Sequence, residues 1–125
     1  RLVMSDGSAT LTVRDPEDFS VLERWPITRA DGAADRLNEL EWDGERLWAN
    51  RWQTDEIVRI DLRCRRVDGV LDASALTARA ATAAAGRPID VLNGIAHLPD
   101  SGDLLLTGKY WPLLFEVAIT EDARR

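Results

Sequence analysis

Apolar and polar residues alternate along most of this chain in short runs, and each run is closed by a turn signal. The runs are "LVMSDG", "ATLTVRD", "SVLERWPI", "LNELEWDG", "ERLWANRW", "EIVRIDL", "DGVLDAS", "LNGIAHLPDSG", "DLLLTGK" and "LLFEVAI". A period of two belongs to strands with one face buried, so the chain is expected to be all-β. "WDGER" sets Asp-Gly between two alternating runs, which is a hairpin signature, and "PDSGD" plays the same part later. One segment breaks the pattern. "SALTARAATAAAG", residues 74–86, is alanine-rich, opens at Ser74 as a candidate cap and stops at Gly86, so a short helix is expected there. With mostly alanine to bury, this helix is expected to be a solvated insertion over one face.

The runs also repeat. "RLVMSDG" at 1–7, "RLWANRW" at 46–52 and "DLLLTGK" at 103–109 share one pattern anchored on Leu2, Leu47 and Leu104. A second echo links "LNEL" at 37–40 with "LNGI" at 92–95, each ahead of a hairpin. Units of four short strands every ~40–50 residues are the size of β-propeller blades. The expected architecture is therefore about two and a half blades, the C-terminal part of a longer ring, since so few units cannot close one. The opening "RLVMSDG" fits this, because it reads as a strand with no leader segment before it. A β-sandwich would hold the same strands but does not explain the repeat.

The repeat brings particular residues together. In an antiparallel hairpin the first strand starts where the second ends. Asn38 and Asn93 stand at starts, while Trp52 and Lys109 stand at ends, each five residues past its anchor leucine. All four are expected on one rim. Within "LWANRWQTD" (47–55), alternation places Trp48, Asn50 and Trp52 on one face. Trp48 is expected to pack between blades and Trp52 to emerge at a binding mouth. Trp25, Trp42 and Trp111 are read, with Trp48, as core.

Composition narrows the chemistry. The net charge of −6 and scattered basic residues argue against a nucleic-acid partner. No apolar run approaches the ~20 residues of a membrane span. Cys64 and His97 are the only residues of their kinds, which excludes an intrachain disulfide, a C-x-x-C motif and a Ser-His-Asp triad, and makes a His/Cys zinc site unexpected. No metal or cofactor is expected. Carboxylates, amides, aromatics, Arg and Lys remain. Of 16 basic residues only Lys109 is lysine, so a chain that otherwise uses Arg makes one exception at the rim.

"LNELEWDGERLWANRWQTDEIVRID", "DVLNGIAHLPDSGDLLLTGKYWPLLFEV" and "LVMSDGSATL" closely resemble the glutamine cyclotransferases of the plant and bacterial type. The resemblance covers nearly the whole chain and is weakest in the alanine-rich insertion and the Arg-rich tail. It implies a five-bladed propeller and a metal-independent enzyme that converts the N-terminal glutamine of a peptide or protein to pyroglutamate with release of ammonia. It also implies that Lys109 is catalytic and that Asn38 and Trp52 line the substrate site, with Asn93 the repeat-equivalent candidate. The catalytic glutamate of the family lies in the N-terminal blades, so this chain alone is expected to be inactive and, with sheet edges uncovered, to self-associate. Export to the periplasm or the cell exterior is a further implication. The alternative is a non-catalytic propeller that binds peptides or a partner through the same rim.

The remaining candidates have plain readings. Asp55 is expected to hold its turn by bonds to backbone. His97 reads as a surface residue away from the mouth, Cys64 as a partly exposed free thiol, and "EDARR" at 121–125 as a solvated terminus.

Overall fold

Antiparallel pairing joins the alternating runs into three sheets that follow one another along the chain. The computed structural model describes residues 1–120, and the terminus expected at 121–125 lies outside them. The first sheet is β1 (Leu2–Met4), β2 (Thr10–Arg14) and β3 (Val21–Pro26), in that order. The central sheet holds β4 (Thr28–Arg29), β5 (Gly32–Ala33), β6 (Leu37–Trp42), β7 (Leu47–Arg51), β8 (Glu56–Asp61) and β9 (Arg66–Asp72), in the order β5-β4-β9-β8-β7-β6. Helix α1 (Ser74–Ala84) leads to the third sheet, β10 (Leu92–His97), β11 (Leu104–Gly108) and β12 (Phe115–Val117). The anchor leucines open or begin β1, β7 and β11, so the sequence repeat is a repeat of strands.

β4 and β5 are too short to show a period and were not expected. β4 runs parallel to β9, with Thr28 opposite Arg66, and so covers what would otherwise be an open edge.

The central sheet is buried on both faces. Leu47, Ala49, Val58 and Ile60 join Leu11, Ile27 and Leu37 in one core, toward the first sheet. Trp48 and Ile57 point the other way, into a core with Leu92, Ile95, Leu104, Leu106, Trp111 and Phe115 of the third sheet and its loop. Alternation along β7 and β8 therefore separates two cores instead of core from solvent. Trp48, 5% exposed, lies between sheets as expected, its indole N–H donating to Asp43 Oδ2 at 2.7 Å.

Several expectations are corrected here. Trp42 is not core: it closes the edge strand β6 at the hairpin, opposite Leu47, and stands 50% exposed. Trp25 is only partly buried, whereas Trp111 is core. Helix α1 is not merely a solvated insertion, because Ala73, Leu76 and Ala80 pack against the second core. Ser74 does not cap it. Ala73 occupies the cap position without a side-chain bond, and Asp72 Oδ1 accepts the Ser74 N–H at 2.9 Å instead. The helix ends before Gly86, at Ala85, whose φ of 51° is left-handed. Asp55 is structural, but its carboxylate accepts the Thr77 hydroxyl of α1 at 2.6 Å, tying the helix to the β7–β8 loop. His97 is half-buried, its backbone N–H donating to Glu41 Oε1 at 2.8 Å, and Cys64 is an exposed free thiol.

Because the central sheet is stabilised from both sides, Ile57→Ala is expected to cost about 2–5 kcal/mol in urea unfolding. Trp42→Ser on the exposed hairpin should stay within about 0.5 kcal/mol. Equal losses would show that Trp42 is packed after all.

Candidate functional site

The site is built from two matching irregularities. In β6, Leu37 faces Arg51 and Leu40 faces Ala49, so Asn38 and Glu39 together oppose Asn50 alone. In β10, Leu92 faces Gly108 and Ile95 faces Leu106, so Asn93 and Gly94 together oppose Thr107. Two residues against one is a β-bulge, which turns side chains out of strict alternation. The bulges fall at the two echoed "LN" segments and re-aim Asn38 and Asn93. Gly94 is required in the second, because a Cβ there would meet Thr107 Cγ2 at 2.9 Å.

Backbone bonds place the other two residues beside these bulges. The Trp52 N–H donates to Arg36 O at 2.8 Å, at the start of β6. The Lys109 N–H donates to Val91 O at 3.0 Å, and the Asp90 N–H donates to Lys109 O at 2.9 Å, at the start of β10. The two hairpins are then tied to one another, since the Gly94 N–H donates to Asn50 Oδ1 at 3.2 Å. Gly7, five residues past Leu2, joins the same edge by two backbone bonds, its N–H to Leu37 O and its O from the Arg36 N–H, both 3.0 Å. Asn38, Trp52, Asn93 and Lys109 thus stand at one end of adjacent hairpins, Lys109 and Trp52 exposed and the asparagines half-buried.

Both rim turns are braced. Gln53 and Tyr110, the residues after Trp52 and Lys109, each have φ of 61°, a left-handed conformation that non-glycine residues rarely hold without support. Arg51 and Glu56 clamp the Trp52 turn by an ion pair at 2.5 Å, while the Thr54 hydroxyl donates to Arg51 O at 2.7 Å. Arg51 also pairs with Asp35, and Glu56 with Arg29. Burial works against the Arg51 charge, but the bonds to Asp35 and Glu56 outweigh it and raise its pKa. The Arg51 bond holds the Glu56 carboxyl below its ordinary value of 4.5, with Arg29 helping against desolvation. At the Lys109 turn the Trp111 indole lies on Gly108, where a Cβ would approach Trp111 Cε2 to 2.3 Å, and its N–H donates to Asp90 O at 2.8 Å. This explains the glycine of "TGK": it lets the tryptophan seat the turn.

A cleft of ≈590 Å³ opens next to Lys109, lined by Arg87, Pro88, Ile89, Asp90, Tyr110, Trp111 and Pro112. Neither this cleft nor a larger one of ≈710 Å³, lined by Trp48, Arg59, Val70 and Ile119 among others, is lined by any of the four rim residues. Among the described residues no cluster of His, Cys, Asp or Glu is arranged to hold a metal ion. The rim can therefore offer a cation with N–H donors, two carboxamides that both donate and accept, and an indole wall.

The family model described as glutamine cyclotransferase matches residues 1–119. The chain belongs to that family. A glutaminyl-peptide cyclotransferase of Arabidopsis thaliana is 40% identical over 118 residues, which are 94% of this chain and 36% of that protein. The crystal structure of Myxococcus xanthus glutaminyl cyclase superposes with a TM-score of 0.84 at 40% identity, covering 93% of this chain and 50% of that one. The chain thus spans about a third to a half of the cyclotransferase relatives it matches. The bulges, the Asn50 tie and the Trp111 seat are not visible in the local sequence pattern of this family member. The Gly94 and Gly108 glycines were the available signals.

Two outcomes test the bracing. Glu56, with its pKa lowered on folding, contributes stability that is present above pH ~4.5 and lost as pH falls through its folded value. The difference in urea midpoint between wild type and Glu56→Gln should accordingly shrink from about pH 6 to pH 3. Gly108→Ala should cost about 1–3 kcal/mol by overpacking and should expose Trp111 to a fluorescence quencher.

Proposed function

We propose that the chain is the C-terminal part of a glutaminyl-peptide cyclotransferase folded as a five-bladed β-propeller, the three successive sheets being its blades. The observation that carries this reading is the convergence of Asn38, Trp52 and Lys109 on one edge, in a chain whose family model matches nearly its full length.

In the proposed reaction the substrate's own α-amine attacks the γ-carboxamide carbon. A C–N bond forms, the carbonyl oxygen takes negative charge, and the intermediate collapses with loss of ammonia. Holding the glutamine folded over itself supplies much of the rate, because an oriented intramolecular attack avoids most of the entropic barrier. Lys109 supplies positive charge and N–H donors to the oxyanion, a contribution of about 3 kcal/mol for one donor. Asn38, with Asn93 across the second bulge, holds the substrate amide or backbone through both donor and acceptor atoms. Trp52 walls off the aliphatic part of the glutamine and keeps water out. The proton that leaves the amine must reach the departing nitrogen, and a carboxyl group on the remaining part of the protein is the proposed carrier. No residue of this chain is assigned that step, so the chain alone is proposed to be inactive, and with sheet edges left uncovered it is proposed to self-associate. Export of the complete protein is also proposed, from the resemblance alone.

A second reading, a peptide-binding module without turnover, is favoured by the exposure of rim aromatics, Trp52 at 40% and Tyr110 at 82%.

The complete reading frame containing this chain, incubated with a glutamine-initiated peptide and a chelator, is expected to yield pyroglutamate and ammonia by mass spectrometry. Lys109→Ala should lower kcat by about 10²–10³-fold. Binding without turnover would leave the module reading, and unchanged turnover in the variant would remove Lys109 from the site.

A further inference from the structure

Asn50 is fully buried, at 0% exposure, yet it carries a carboxamide in a layer otherwise made of Trp48 and Ile57. Burying an amide costs free energy unless it is bonded, and a core position would accept leucine more cheaply. Its place explains its presence. Asn50 opposes the Asn38–Glu39 bulge of its own sheet and accepts the N–H of Gly94 in the bulge of the next sheet. Because Gly94 N–H can only donate, the oxygen faces Gly94 and the amide nitrogen points elsewhere. That nitrogen and Asn93 Oδ1, one residue along from Gly94, are both buried with no hydrogen-bond partner among the described residues.

The same relation occurs once more. Ser5 sits three residues past Leu2, as Asn50 does past Leu47, and its hydroxyl donates to the backbone carbonyl of Asn38. In both cases a polar side chain three residues past an anchor leucine, just beyond β1 or on β7, bonds to the bulge in an edge strand of the next sheet, β6 or β10. Each pinned bulge carries one of the two rim asparagines.

We propose that Asn50 and Ser5 are positioning residues. Each fixes, from a neighbouring sheet, the bulge that presents Asn93 or Asn38. Asn50 additionally sets the Lys109 side of the rim relative to the Trp52 side, because β10 pairs with β11, which ends at Gly108 next to Lys109, and the backbone of Lys109 bonds to Val91 and Asp90 just ahead of β10. The consequence for turnover rests on the cyclotransferase reading. The consequence for the rim does not.

The test uses the complete protein with Asn50→Ala, Asn50→Asp, which keeps the acceptor, and Val58→Ala, a destabilising control on the opposite face of the central sheet. All are assayed well below their melting temperatures. Asn50→Ala is expected to lower kcat about 10–100-fold with little change in KM, since a misplacement of about 1 Å can cost that much. Hydrogen exchange should quicken in segments 91–96 and 107–110. Asn50→Asp should keep the Gly94 protection and part of kcat, and Val58→Ala should leave kcat unchanged. Faster exchange with an unaltered kcat would reduce Asn50 to a structural tie and overturn the proposal. Should the wild type itself show no turnover, the cyclotransferase reading falls and exchange decides. Loss in both segments upholds positioning of the rim, and loss at neither or at 91–96 alone overturns it.

Discussion

Strands β7 and β8 are buried from both sides, and the geometry of the rim depends on that burial. With Leu47, Ala49, Val58 and Ile60 filling one core and Trp48 and Ile57 the other, the central sheet cannot slip its register by one residue without exchanging the two. The first and third sheets are each held against a surface of fixed shape. Residues at the ends of β6, β7, β10 and β11 inherit their positions from this packing, and the turns beyond them can then be held in strained conformations.

The strain is local and specifically supported. Gln53 and Tyr110 take a left-handed backbone that bends the chain sharply immediately after Trp52 and Lys109. One turn is secured by charge, through Arg51, Glu56, Asp35 and Arg29. The other is secured by an indole laid on a glycine. Different chemistry serves the same geometric end at two equivalent places in the repeat.

Much of this was legible in the residues. Alternation located ten of the strands because each has at least one face to bury, and the anchors Leu47 and Leu104 together with the echoed "LN" segments picked out four residues that stand at one end of adjacent hairpins. Other features were not legible, for physical reasons. Two-residue strands such as β4 have no period. Trp42 carries the same hydrophobic signal as Trp48, and only the reach of the neighbouring sheets separates them. Ser74 looked like a cap, but Asp72 two residues earlier bonds its N–H and moves the cap to Ala73. Asn50 read as one polar member of an aromatic face, because a bond to a backbone N–H 44 residues away leaves no mark in local pattern.

The ties made by Ser5 and Asn50 run from one unit of the repeat into the next. Thr107, the third residue in the series, instead donates to Leu113 O within its own part of the chain, at 2.9 Å. A substitution at Ser5 or Asn50 therefore acts first on a bulge in the neighbouring sheet, so side-chain length on one side of each of these two junctions and backbone shape on the other are coupled.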